Sequence, residues 1–256
     1  MFLNTAKINK VPSGKFRYLF ANFICSNMKP NKPPKTEAFH NAAFAVFRKD
    51  LLSEWRSRAT LGAVALFSLA APITLGFSLA RQTLPPQAQG ALFWSVLFFA
   101  ACIGLPRAFV KEEESGTSAL LRLHFSADAV FWGKAAGQML LLLVTQLAAI
   151  PTFILLMGAK VENVPLLLLT ILLGDLGLSL SSTLIGAMAA QARGRGTLFP
   201  ALAAPILLPF LAALGIATAI AFGSPDGNAS NTLMVATAFD LALIGVGVLG
   251  FELVWK

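Results

Sequence analysis

The sequence predicts an all-α polytopic membrane protein: six transmembrane helices preceded by an interfacial amphipathic helix, with the N- and C-termini both on the cytoplasmic side. Three observations predict it. Six apolar runs are each long enough to cross a bilayer core of about 30 Å, which takes roughly 20 helical residues. The 256 residues are 56% apolar and only 12% charged, with a mean hydropathy of +0.72, too apolar for a soluble globule with a polar shell. Of the 20 Lys and Arg, all but Arg81 and Lys160 fall in segments that one orientation places on the same face.

Taken in order, residues 1–40 read as a flexible basic tail. It carries Lys7, Lys10, Lys15, Arg17, Lys29, Lys32 and Lys35, has no acid before Glu37, and closes on the Pro-rich stretch KPNKPPKT. The apolar run 18–25 is short for a signal segment, and no A-x-A-like site follows it. Residues 41–256 read as one transmembrane domain. It opens on an amphipathic helix over 39–55, where Phe39, Ala43, Val46, Phe47, Leu51, Leu52 and Trp55 recur at steps of three or four among Arg48, Lys49, Asp50 and Glu54. Too charged to cross and too apolar for water, it belongs at the interface. Its aromatic face lies in the acyl boundary, as a plain anchor or as an elbow packed on a peripheral subunit.

The spans are expected at 60–80, 91–109, 135–158, 164–190, 197–222 and 232–251. Stretches such as MLLLLV and VPLLLLTILL do not alternate, which excludes a β-barrel. Near the span ends, Arg48, Lys49, Arg56, Arg58, Arg107, Lys111, Arg122, Lys134, Arg193, Arg195 and Lys256 oppose only Arg81 and Lys160, and this asymmetry sets the cytoplasmic face. Juxtamembrane cations meeting anionic lipid account for the net charge of +8, so no nucleic-acid partner is implied.

Four features inside this frame carry chemistry. The loop 107–134, RAFVKEEESGTSALLRLHFSADAVFWGK, is the longest connection and has mixed charge. Ser115 or Thr117 can cap a short helix whose Ala119, Leu120, Leu123 and Phe125 form an apolar side, with Glu112, Glu113 and Glu114 ahead of its positive end. Such a side invites a partner outside the bilayer. Asp175 and Asp240 fall near the middle of spans four and six, where an acid costs roughly 2.5 to 3.5 kcal/mol to insert. They form either a polar path or interior acids bonded to Ser179, Ser181, Ser182, Thr237 or a carbonyl, with no Lys or Arg inside a span to pair with. Pro151, Pro200, Pro205 and Pro209 bend spans three and five, and Pro151, Pro205 and Pro209 are candidate hinges. Cys25 and Cys102 form no CxxC and suggest neither a disulfide nor a metal site.

The succession of an amphipathic helix, two spans, the loop E-E-E-S-G-T-x-x-L-L-x-L, then W-G-K and a third span resembles an ABC-2 type permease. Within that class, residues 91–123 and 166–211 resemble the haem exporter protein B (CcmB) family of the cytochrome c maturation system, the likeness running over 46–222. Trp94 matches a Trp of the family's second span, Glu114, Gly116 and Leu120 its acid-x-G-x-x-x-L loop, and Leu173 and Gly174 its L-L-G element. Arg193 and Gly194 match a basic-Gly turn, and Pro205 and Pro209 a P-x-x-x-P. The family follows L-L-G with Thr-Pro, whereas Asp175 and Leu176 stand here.

The resemblance implies the permease subunit of an ABC complex in the inner (cytoplasmic) membrane. It would be driven by a separate CcmA-like ATPase and would work with CcmC-like and CcmD-like subunits to export haem or release a haem-loaded chaperone. It also makes Glu112, Glu113, Glu114, Gly116, Leu120 and Leu123 a coupling element for that ATPase. The chain agrees in lacking G-x-x-x-x-G-K-[ST], so it is not itself expected to be an enzyme. Its two histidines, His40 and His124, lie outside the spans, and Met139 and Met188 fit as core residues, so no bound haem or other cofactor is expected. A permease for lipid, polysaccharide or drug, or a non-transporting scaffold, are the alternatives. Against an intramembrane enzyme, no span holds H-E-x-x-H or G-x-S-x-G.

Overall fold

The structure, a computed structural model, describes residues 35–57, 59–79, 84–104, 107–191 and 195–255. The tail up to residue 34 with Cys25, the Arg193–Gly194 turn, Arg58, Arg81 and Lys256 lie outside the described residues. Among the described residues every regular element is a helix: α1 (Lys35–Ser57), α2 (Ala59–Leu79), α3 (Pro86–Gly104), α4 (Arg107–Ser115), α5 (Thr117–His124), α6 (Ala127–Met157), α7 (Val164–Gln191), α8 (Arg195–Ala221) and α9 (Ala229–Trp255). Six of them, α2, α3 and α6 to α9, are long and apolar enough to cross a membrane. Residues from Ala42 onward form one compact unit.

Helix α7 is the interior member, packed against α4, α6, α8 and α9. Its composition makes that possible, because Gly174, Gly177 and Gly186 with Ser179, Ser181, Ser182 and Thr183 keep its girth small. The hydroxyls of Thr170, Ser181 and Thr183 each donate to the carbonyl four residues back, so they need no outside partner. Around α7 the buried side chains fall into two clusters. One gathers Phe93, Trp94, Leu142, Phe153, Leu178 and Phe210, and the other Val46, Phe109, Leu121, Phe131, Phe251 and Trp255.

Helix ends follow local chemistry. Ser126 accepts the amide of Ala129 at 3.4 Å and Asp128 sits in the first turn, so α6 starts at Ala127, ahead of the expected 135. Lys134, expected as a juxtamembrane cation of the loop 107–134, is therefore inside this helix, and it faces protein. At its far end α6 stops on Gly158, whose φ of 61° suits a residue without a Cβ. Asn163 Oδ1 accepts the amide of Leu166 at 3.0 Å to begin α7. Helix α3 ends at Gly104, two residues before Pro106, so the expected second span over 91–109 is divided: its last residues start the separate helix α4. Besides Pro151 in α6 and Pro200, Pro205 and Pro209 in α8, Pro72 lies inside α2.

At the end of the bundle away from α4 and α5, three connections are tied together. The amides of Glu162 and Asn163 both donate to the carbonyl of Ala221, at 2.9 and 3.1 Å. Gln87 Nε2 donates to Ser224 Oγ at 2.9 Å and to Asp226 Oδ2 at 3.0 Å.

Candidate functional site

Helix α1 has the expected mixed composition, with most of its apolar set outward and the charged pair Lys49 and Asp50 inward. Phe44, Leu51, Leu52 and Trp55, the last 69% exposed, point out of the bundle, while Val46, Lys49 and Asp50 point in. The apolar set predicted as one face is thus divided, with Val46 buried in the protein. The reason is a group of charges that waits for Lys49 and Asp50 inside.

Four ionised side chains meet there, from three helices. Lys49 contacts Asp50 Oδ1 at 2.9 Å and also donates to Glu112 Oε1. Lys134 Nζ lies 3.1 Å from Asp50 Oδ2 and 2.8 Å from Glu112 Oε2, and its side chain is 0% exposed. The face of Phe109 covers the same ammonium, 4.5 Å from the ring centre. Two cations balance two anions, the condition under which such burial is tolerated. The approach of α1 to α6 depends on Gly133, because a Cβ there would stand 2.6 Å from the carbonyl oxygen of Ala43 and 2.8 Å from Val46 Cβ. Lys111 Nζ adds a 3.0 Å bond to Ser53 Oγ, tying α4 to α1 again.

Burial alone would push the Asp50 carboxyl up, but Lys134 and Lys49 together outweigh it and hold it below its ordinary 3.8. Burial would likewise pull Lys49 down, yet Asp50 and Glu112 hold it above 10.5. The stabilisation from Asp50 is complete above 3.8 and is lost as pH falls through its depressed value. That from Lys49 is complete below 10.5 and is lost as pH rises through its raised value. Asp50 and Lys49 therefore add no pH dependence to the attachment of α1 around neutrality, read as resistance of the α1–α2 junction to protease. A cleavage rate rising steeply between pH 6 and pH 8 would contradict the pairing.

The loop 107–134 is a helix–turn–helix running into α6. The turn is Gly116, at φ 69°, with no side-chain cap on α5. Ser115 and Thr117 do not cap α5 as expected; both hydroxyls reach back to the carbonyl of Glu112, at 3.1 and 3.4 Å, and close the end of α4. The three glutamates accordingly sit in the last turn of α4, and they separate. Glu112 is buried in the charge group, Glu113 is half-buried and Glu114 is exposed. On α5, Leu121 packs inward and Arg122 lies 5.2 Å over Trp255, while Leu120 and Leu123 face out, Leu123 at 80% exposure. Of the predicted coupling residues, then, Glu114, Gly116, Leu120 and Leu123 are exposed, Glu113 is half-buried and Glu112 is buried.

The interior acids are both buried; Asp175 bonds a different partner from those the sequence suggested, and neither carboxylate oxygen of Asp240 has a hydrogen-bond partner among the described residues. Asp175 Oδ1 accepts a 2.6 Å bond from Gln146 Nε2 of α6. Ser182 and Thr183 instead bond Gln138, and Thr237 bonds the carbonyl of Met234. Asp240 lies against Gly177, where a Cβ would stand 2.6 Å from its Oδ1. Gln138 and Gln146 were the missed positions, although an amide within a long apolar run is itself a signal. Trp94 and Gly174, singled out separately, meet: the indole lies on the glycine and donates to Thr218 Oγ1 at 2.8 Å. Among the described residues no group of His, Cys, Asp and Glu is arranged to hold a metal ion.

The family model described as CcmB protein matches residues 41–252. No curated protein and no solved structure matches the chain.

Proposed function

The chain belongs to the CcmB protein family, the multi-pass permease subunits of haem-export ABC systems in cytochrome c biogenesis, and on that premise we propose that it is driven by a separate CcmA-like ATPase docking on α5. The observation that carries the docking is the outward pair Leu120 and Leu123 on a short helix that follows Glu113 and Glu114 in sequence and is tied to the spans through Glu112. An apolar pair preceded by acids suits a partner surface with an apolar floor and a cationic rim. The protein lies in the inner (cytoplasmic) membrane with its termini and the α4–α5 segment in the cytoplasm, a reading supported by the cation asymmetry. It acts with CcmC-like and CcmD-like subunits and bilayer lipid to move haem or to release a haem-loaded chaperone. It binds no haem itself, since neither histidine lies in a span.

Deleting 112–123 would be an unsuitable test, because it removes Glu112 from the buried charge group. The paired substitution Leu120→Asp with Leu123→Asp changes only the exposed edge. Co-purification of the ATPase from detergent-solubilised membranes is expected to fall by about tenfold or more, as for loss of an interface anchor, with insertion intact. Undiminished capture would overturn the assignment.

A further inference from the structure

We propose that Lys134 is the positioning residue through which displacement of the α4–α5 segment reaches the membrane helices, with Glu112 as the contact that moves it. The proposal rests on the reading of α5 as the docking surface and adds the route inward from it.

Three observations carry it. First, α5 is fastened to Glu112: the Ser115 and Thr117 hydroxyls and the amide of Gly116 bond to the carbonyls of Glu112 and Glu113, so a push on α5 is delivered to the last turn of α4. Second, Glu112 reaches Lys134 at 2.8 Å, and Lys134 belongs to α6, which continues through the membrane span and carries Pro151 further along. Third, the same ammonium holds Asp50, so α1 is tied to the same joint. In a buried, balanced group of two cations and two anions, separating any member leaves an uncompensated charge in a medium of low dielectric. The contact is therefore stiff, and α6 follows α4. Gly133 and Lys134 of the W-G-K motif thereby have distinct tasks: the glycine lets α1 come close, and the lysine binds the joint.

A merely structural role and a transmitting role separate in a neutralised joint. Lys49→Met, Asp50→Leu, Glu112→Met and Lys134→Met together replace the group by apolar side chains of similar bulk with no net charge, a kind of replacement that buried ion groups often accept without loss of stability. In membranes co-expressing the ATPase, this variant is expected to insert, to melt near the native temperature and to retain ATPase capture. Cytochrome c maturation is expected to fall by roughly tenfold, within the range for loss of coupling between sites. Lys134→Arg, which keeps the charge, is expected to retain most maturation.

Native maturation by the neutral variant overturns the proposal. Loss of capture by it does so too, since the group would then be holding the docking surface in shape. If the neutral variant fails to insert, Glu112→Met with Lys134→Met serves, which removes one anion with one cation and leaves Lys49 paired with Asp50; capture kept and maturation reduced are expected, and native maturation overturns the idea. A native chain that captures no ATPase defeats the docking reading instead, whatever the variants do.

Discussion

Gly174→Leu is expected to destabilise the bundle by about 3 kcal/mol or more, at the upper end for overpacking a tight interior. A side chain at Gly174 would enter the six-membered ring of Trp94, whose indole is fixed from the other side by its bond to Thr218 and by the edge of Phe93. The indole therefore cannot swing away without breaking a buried hydrogen bond. Thermal unfolding in detergent would read the loss directly. The explanation also makes a second demand: Trp94→Leu alone is expected to cost about 3 kcal/mol through the space it leaves, yet to relieve Gly174→Leu when the two are combined. If the double variant melts as low as the sum of the singles predicts, the packing argument is wrong.

Gly90→Leu is expected to be at least as harmful, and beyond rescue. Here the obstacle is backbone: a Cβ on Gly90 would run into the carbonyl oxygen of Gly215 and stand 3.1 Å from the amide nitrogen of Ala219, so α3 and α8 would have to part along their crossing. No truncation of a neighbour makes room. The facing glycine is not equivalent, because a Cβ on Gly215 meets Ala91 only at 3.6 Å, an ordinary contact. Gly215→Ala is accordingly expected to fold at near-native yield while Gly90→Ala loses most of the monodisperse protein on size exclusion. Equal sensitivity of the two would mean that the helices do not cross as described.

The spans were readable because lipid imposes a length and a composition, and the runs around α7, α8 and α9 state both plainly. What escaped was whatever depends on which neighbour a helix meets. Lys134 reads as a span boundary to any argument that treats lipid as its surroundings, and it is buried only because Asp50 and Glu112, distant in sequence, come to it. Asp175 announced itself as costly, but its partner Gln146 lies one helix away and could not be chosen from the serines nearby. The apolar stripe of α1 was visible; that Val46 would turn from Trp55 was not, since periodicity reports a face and not what the opposite face will find. Residues resembling the family's positions fared differently. Trp94 and Gly174 were picked out separately, and the fold joins them.

The inward turn of Lys49 and Asp50 also fixes a time order. Their partners Glu112 and Lys134 lie 63 and 84 residues further along, so while the ribosome is still making α2 and α3 Lys49 and Asp50 have only each other. The first helix must wait at the lipid surface on its aromatic side, and swing into place only once the root of α6 has been synthesised. The oldest segment of the domain is thus among the last to settle, and a chain stalled before Lys134 should leave it still afloat.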